Sequence, residues 1–114
     1  MPCIETKTNV PVPAEKEEAL RRRFGKAIAL LPGKSESWLM LSFQGDCALA
    51  FRGETRPKIA LLHVSLFGKA AAPDYERLTA ELTHIVSEEL GVDAACVYVI
   101  YDEVKYWGWN GANL

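Results

Sequence analysis

The residue with the greatest reactive potential in this chain is its second. The chain begins MPCIETKTNV. Met1 is usually removed when a small residue such as proline follows it, and Pro2 then carries a free secondary amine at the terminus. Such an amine is a base and a nucleophile. An α-amino group titrates near 7.7–8.0 in the open, a secondary amine somewhat higher, and burial or a neighbouring cation lowers that value. The residues alone also allow a structural reading, in which Pro2 only opens a strand where a missing N–H costs nothing. The other reactive types offer less. Cys3, Cys47 and Cys96 are odd in number, widely spaced and without a CxxC, so neither a zinc site nor a disulfide framework is indicated. They read as small core residues in a reducing cytoplasm. His63 and His84 have no partner at ligand or triad spacing and read as structural or exposed.

What must position Pro2 follows from periodicity. Ile4 to Val10 reads as a strand ended by Pro11 and Pro13. Ala14 to Leu31 reads as a helix, with Leu20, Phe24, Ala27, Ile28 and Leu31 at helical spacing and Glu15, Glu17 and Glu18 at its positive end. Pro32-Gly33 stops it. Trp38 to Phe43 reads as a second strand. The pattern then recurs: strand Lys58 to Phe67, helix Pro73 to Leu90 stopped by Gly91, strand Cys96 to Tyr101. GKSESWLMLSF from Gly33 aligns without a gap on GVDAACVYVIY from Gly91. Each half is a β-α-β unit, whose right-handed crossover makes its two strands parallel. The expected architecture is α+β, a two-layer domain. A four-stranded mixed sheet carries two helices on one face, in pseudo-repeats at about 2–44 and 58–102, with a tail at 103–114.

In KIALLHVSLF both alternating sets are largely apolar: Ile59, Leu61 and Phe67 on one side, Ala60, Leu62, Val64 and Leu66 on the other. Strands buried on both faces look like this. Two helices cover one face only, so the expected cover for the other is a second copy of the chain. The tail YWGWNGANL packs Tyr106, Trp107 and Trp109 between glycines, which suits a short strand or turn set against a neighbour or over a pocket.

Composition excludes other classes. The 114 residues suit one domain, 49% hydrophobic and 25% charged, with a net charge of −2 and no basic stripe for nucleic acid. Arg21-Arg22-Arg23 follows three glutamates and reads as a solvated helix face. No apolar run reaches the roughly 18 residues of a membrane span. The start has no charged stretch followed by an apolar core, so no secretory signal is expected.

Together, MPCIET…TNVPVP, LPGKSESWLMLSF, ALAFRG with Pro57, SLFGK, CVYVIYDEV and GWNG resemble, in order and nearly end to end, the macrophage migration inhibitory factor family of the tautomerase superfamily. That resemblance implies a homotrimer of β-α-β-β-α-β subunits and a cofactor-free keto–enol tautomerase acting on small α-keto acids or their enols, such as phenylpyruvate. It implies that Pro2 is the catalytic base. Lys34, otherwise a helix-end lysine paired with the dipole, matches the lysine that holds the substrate carboxylate. Phe67 falls where the family uses a backbone N–H beside the pocket. Tyr98 matches a pocket tyrosine supplied by the adjacent subunit. Trp109 matches an aromatic wall, and Trp38 an aromatic near the mouth. The resemblance also carries a second function: a cytokine-like trimer engaging a cell-surface receptor, exported without a signal peptide, with vestigial catalysis.

The sequence departs from the family at several points. Ile100 stands where the best-known members have a pocket asparagine, which makes the pocket more apolar. Trp107 replaces a smaller aliphatic residue and narrows it. The chain ends Asn113-Leu114 where an aromatic is common. The stretch that carries a CxxC in some members reads KIAL, so no thiol-redox activity is expected.

Overall fold

The computed structural model describes residues Met1–Leu114 and contains both expected β-α-β units. The first is β1 (Pro2–Thr8), α1 (Ala14–Ala27) and β2 (Met40–Gln44). The second is β3 (Ala60–Phe67), α2 (Ala72–Leu90) and β4 (Val97–Val104). A short hairpin, β5 (Gly108–Trp109) and β6 (Ala112–Asn113), ends the chain. Each unit's strands are parallel, as the crossover rule requires. The units join through an antiparallel β1–β3 pair, giving the order β2-β1-β3-β4. This register sets Pro2 opposite Leu66, at the end of β3.

Element ends differ from the sequence expectation for local reasons. β1 begins at Pro2 and stops at Thr8. There the Thr8 hydroxyl donates to the Ile59 carbonyl at 2.7 Å and accepts from the Val10 N–H at 3.3 Å, drawing the chain out of the ladder. The first helix ends at Ala27 instead of Leu31, and Ile28–Leu30 tighten into a 3₁₀ turn. Pro32 disfavours helical geometry at Leu31, which is extended at φ −86 and ψ 115. Trp38 lies in a 3₁₀ turn, Glu36–Trp38, ahead of β2 and not in it. Cys96 likewise closes a 3₁₀ turn before β4.

The core lies between the sheet and the helices. Ile4, Leu62, Val64 and Leu66 point toward Leu20, Phe24, Ile28, Leu78, Leu82, Ile85 and Val86, all fully buried. Arg23 fastens the helices to each other, donating to Glu88 at 2.6 Å and Glu89 at 2.9 Å. Phe24 is the largest buried side chain and packs on Phe43, with ring centroids 5.9 Å apart. Phe24→Ala is expected to lower the unfolding free energy by about 3–5 kcal/mol in urea titrations. A loss below about 1 kcal/mol would mean that the site collapses around the cavity, or that Phe24 is not central to the core.

The opposite face is open in the single chain, and the sequence expectation needs correcting there. That face is mixed, not an apolar slab. The pleat turns Glu5, Lys7, Ser42, His63, Ser65 and Asp102 outward alongside Leu61 and Phe67. Ile59 precedes β3 and is buried. The apolar exposure is concentrated at Met40 (73%), Tyr98 (57%) and Ile100 (45%). No helix is long and apolar enough to cross a membrane.

Candidate active site

Three chain segments meet at the start of β1. Pro2 is buried there, paired with Leu66 near the end of β3, one residue ahead of Cys3, which pairs with Met40 at the start of β2. The turn leaving the first helix brings in Lys34. Its N–H donates to the Leu31 carbonyl at 3.0 Å, and Gly33 takes φ 80, a value that strongly favours glycine. The end of β3 supplies Phe67, followed by Gly68 at φ 100. The Lys34 ammonium donates to the Phe67 carbonyl at 2.7 Å. It also lies beside Gly68, where an added Cβ would sit 3.8 Å from Nζ.

Met1 shows what this corner can hold. The Phe67 N–H donates to the Met1 carbonyl at 3.0 Å. The Met1 amine titrates below its ordinary value of 8.0, first because burial disfavours the cation, then because of the Lys34 charge and hydrogen bond. An oxygen acceptor therefore sits on the Phe67 amide, beside a cation that depresses a neighbouring amine. Removal of Met1 places the Pro2 amine at the chain terminus and frees the Phe67 N–H for another oxygen.

An open cleft of about 700 Å³ adjoins this corner, walled by Pro2, Cys3, Trp38, Met40, Trp107 and Trp109. Trp109 meets Trp38 edge-to-face, with centroids 5.0 Å apart and planes at 88°. The terminal hairpin delivers Trp107 and Trp109. Asn110 and Gly111 occupy its two-residue turn at φ 54 and φ 80, the left-handed pair that a type I′ turn demands. The Leu114 N–H closes the tail on the Trp107 carbonyl at 2.9 Å. Asn110-Gly111 is a strong hairpin signal in sequence, and it specifies the turn more closely than the expected short strand or turn.

The structure thus brings Pro2, Lys34, Phe67, Trp38, Trp107 and Trp109 together. It does not bring Tyr98 or Ile100 to them within one chain. Tyr98 pairs with Leu61, which pairs with Lys7, and Ile100 is level with Glu5. Tyr98 is therefore roughly 16 Å along the strands from Pro2 and about 10 Å across them. Both residues face outward on the open sheet face, and Tyr98 forms a T-shaped pair with Phe51, ring centroids 5.3 Å apart.

Cys3 and Met40 also wall the cleft, although the sequence reading gave them no place in it. Their signal was the register: Cys3 pairs with Met40, one residue past Pro2. Both histidines lie at the surface, as read from the sequence, and each carries an acidic partner. His63 Nε2 is 2.5 Å from Asp102 Oδ2 across β3 and β4, and His84 pairs with Glu88 at 3.2 Å. The first pair is invisible to sequence spacing because a strand register creates it. Cys3, Cys47 and Cys96 are free.

Comparison with known proteins gives one consistent result. The family model described as macrophage migration inhibitory factor (MIF) matches residues 1–114. The chain is 27% identical over 118 residues to macrophage migration inhibitory factor from Xenopus laevis, covering 99% of this chain and 98% of that one. Among solved structures, MIF2 of Leishmania major superposes with a TM-score of 0.93 at 28% identity, covering 100% of this chain and 97% of that one. The macrophage migration inhibitory factor homologue from Prochlorococcus marinus gives 0.87 at 26% identity, covering 97% of each chain.

Proposed function

Because the chain belongs to the macrophage migration inhibitory factor family, we propose that it is a cofactor-free keto–enol tautomerase whose base is the amine of Pro2, exposed by removal of Met1. The observation that carries this reading is the corner occupied by Met1. An acceptor oxygen rests on the Phe67 N–H, and the terminal amine beside it is held below its ordinary pKa by burial and Lys34. A phenylpyruvate-like α-keto acid has the matching groups. Its carboxylate binds the Lys34 ammonium and the Phe67 N–H. Its aromatic end lies against Trp38 and Trp109. The neutral amine takes a proton from the carbon beside the carbonyl, and the resulting cation returns it at the carbonyl oxygen. A base poised near neutral pH suits this transfer. The test is the ultraviolet loss of phenylpyruvate enol, compared between the processed protein and Pro2→Gly.

The pocket is completed by a neighbouring copy in a homotrimer. Tyr98 and Ile100 are exposed on the open face and too distant to serve Pro2 of their own chain. Ile100 in place of a hydrogen-bonding side chain, with Trp107 in the wall, favours flat apolar substrates. A shared site has a specific consequence. Pro2→Gly and Tyr98→Arg chains, each impaired alone, are expected to recover turnover when refolded together, because some hybrid sites combine an intact Pro2 with an intact Tyr98. Mixtures no more active than the average of the two variants would assign both residues to one chain or remove Tyr98 from the site.

The second reading is a receptor-binding trimer with vestigial catalysis, favoured by the same altered wall at Ile100 and Trp107. Receptor engagement undiminished in Pro2→Gly, with negligible wild-type turnover, would move the assignment there.

A further inference from the structure

The proposed chemistry hangs on the backbone of one residue, Phe67. The Phe67 carbonyl holds Lys34, and its N–H faces the acceptor oxygen. Phe67 ends β3, and the chain then runs through Gly68 in an irregular segment as far as Ala72, where α2 begins. A glycine followed by a short unpaired stretch has many conformations to lose on folding. Something must hold it.

Resting on the tautomerase reading above, we propose that Glu103 is a positioning residue for this site. Its carboxylate clamps the Gly68–Ala71 segment, and so aims the Phe67 amide and the Lys34 ammonium. Glu103 lies on β4 opposite Leu66, so it is anchored in the sheet beside the end of β3. Its Oε2 accepts from the Ala70 N–H at 3.3 Å and from the Tyr75 hydroxyl at 2.6 Å. One carboxylate thus joins the connecting segment, the first turn of α2 and the sheet. Tyr75 is itself fixed, with its ring 4.6 Å from that of Tyr101. The Tyr101 hydroxyl lies 2.8 Å from Thr79 Oγ1 and donates to the Tyr75 carbonyl at 3.2 Å.

The protonation states suit a permanent clamp. Burial, then the hydrogen bond and charge of Glu103, push the Tyr75 hydroxyl up to about 12. The Tyr75 hydrogen bond, then the Ala70 N–H, hold Glu103 below its ordinary value, and Lys69 is the nearby cation. Tyr75 stays a donor and Glu103 an acceptor across the neutral range. Charge-assisted bonds of this kind are about twice as strong as neutral ones.

The experiment compares Glu103→Ala, Glu103→Gln and Tyr75→Phe with wild type. It uses phenylpyruvate turnover across pH, thermal melting, and ¹⁵N titration of the Pro2 amine. With the clamp lost in Glu103→Ala, kcat/KM is expected to fall about tenfold, mostly through KM. The acid limb of its pH profile is expected to move upward as Lys34 slackens from the amine. Glu103→Gln keeps an acceptor, folds if Glu103→Ala does not, and is expected to fall about threefold, as is Tyr75→Phe. A merely structural role lowers the melting temperature without moving the acid limb. Wild-type kcat/KM with an unmoved limb in both Glu103 variants overturns the proposal. The titration separates this inference from the tautomerase reading. If Pro2→Gly keeps full turnover, that reading fails. The Pro2 pKa in the Glu103 variants still decides the clamp, supporting it if raised and overturning it if unmoved.

Discussion

Inserting one alanine between Met1 and Pro2 is expected to lower phenylpyruvate turnover by about 10²–10⁴-fold, the range for loss of a positioned general base. The insertion turns the Pro2 nitrogen into an amide, which is neither basic nor nucleophilic. It also leaves a residue ahead of Pro2, where Met1 now sets its carbonyl on the Phe67 N–H at 3.0 Å. The proposed base and the proposed carboxylate donor are thus blocked at once. Pro2→Gly is the gentler companion. It keeps a terminal amine, but a primary one on a freer backbone, and Gly within a strand costs about 0.5–1 kcal/mol of stability. Its turnover is expected to fall by about 10²-fold, the lower end of that range. Intact mass must first show that Met1 is gone from the wild type. Turnover within twofold of wild type in the insertion variant would remove Pro2 from the mechanism.

Lys34→Ala carries the next largest effect, with two separable consequences. Substrate binding loses a charged hydrogen-bond donor, worth about 1.5–3 kcal/mol, so kcat/KM falls roughly 10- to 150-fold, mostly in KM. The second consequence is a change in pH dependence, and its sign follows from the active form. The amine works as a base only when neutral, so activity is lost as pH falls through its pKa. Burial first, and Lys34 second, hold the Met1 amine at this corner below its ordinary value, and the same two causes act on the Pro2 amine once Met1 is removed. Removing Lys34 leaves the burial and removes the charge. The acid limb therefore moves upward, toward the value of a free secondary amine without reaching it. A kcat/KM profile with the wild-type limb would show that Lys34 does not act on the amine. An unchanged KM would show that it does not hold the carboxylate.

Much of this was legible along the chain. The two β-α-β units follow from local periodicity, and Pro32 and Gly91 end the helices where backbone sterics demand. The parallel pairing inside each unit follows from the handedness of the crossover. The ends were less legible. Ile28–Leu30 keep a helical apolar pattern, yet Pro32 tightens them into a 3₁₀ turn. Trp38 carries strand-like chemistry but lies in the turn before β2, and this places it at the cleft mouth against Trp109.

The sequence by itself determined the elements, the class of chemistry open to a terminal proline, and the resemblance that the family comparison bears out. Tertiary structure alone decided which residues meet. The antiparallel β1–β3 register sets Pro2 against Leu66 and hence beside Phe67, and a Gly33 turn far along the chain brings Lys34 to the same corner. Register also made the His63–Asp102 pair, and it put Tyr98 and Ile100 out of reach of their own chain's Pro2. The physical reason is the same in each case. A strand's alternation records which side of the sheet a residue occupies, but not which strand lies beside it or how far that strand has slid.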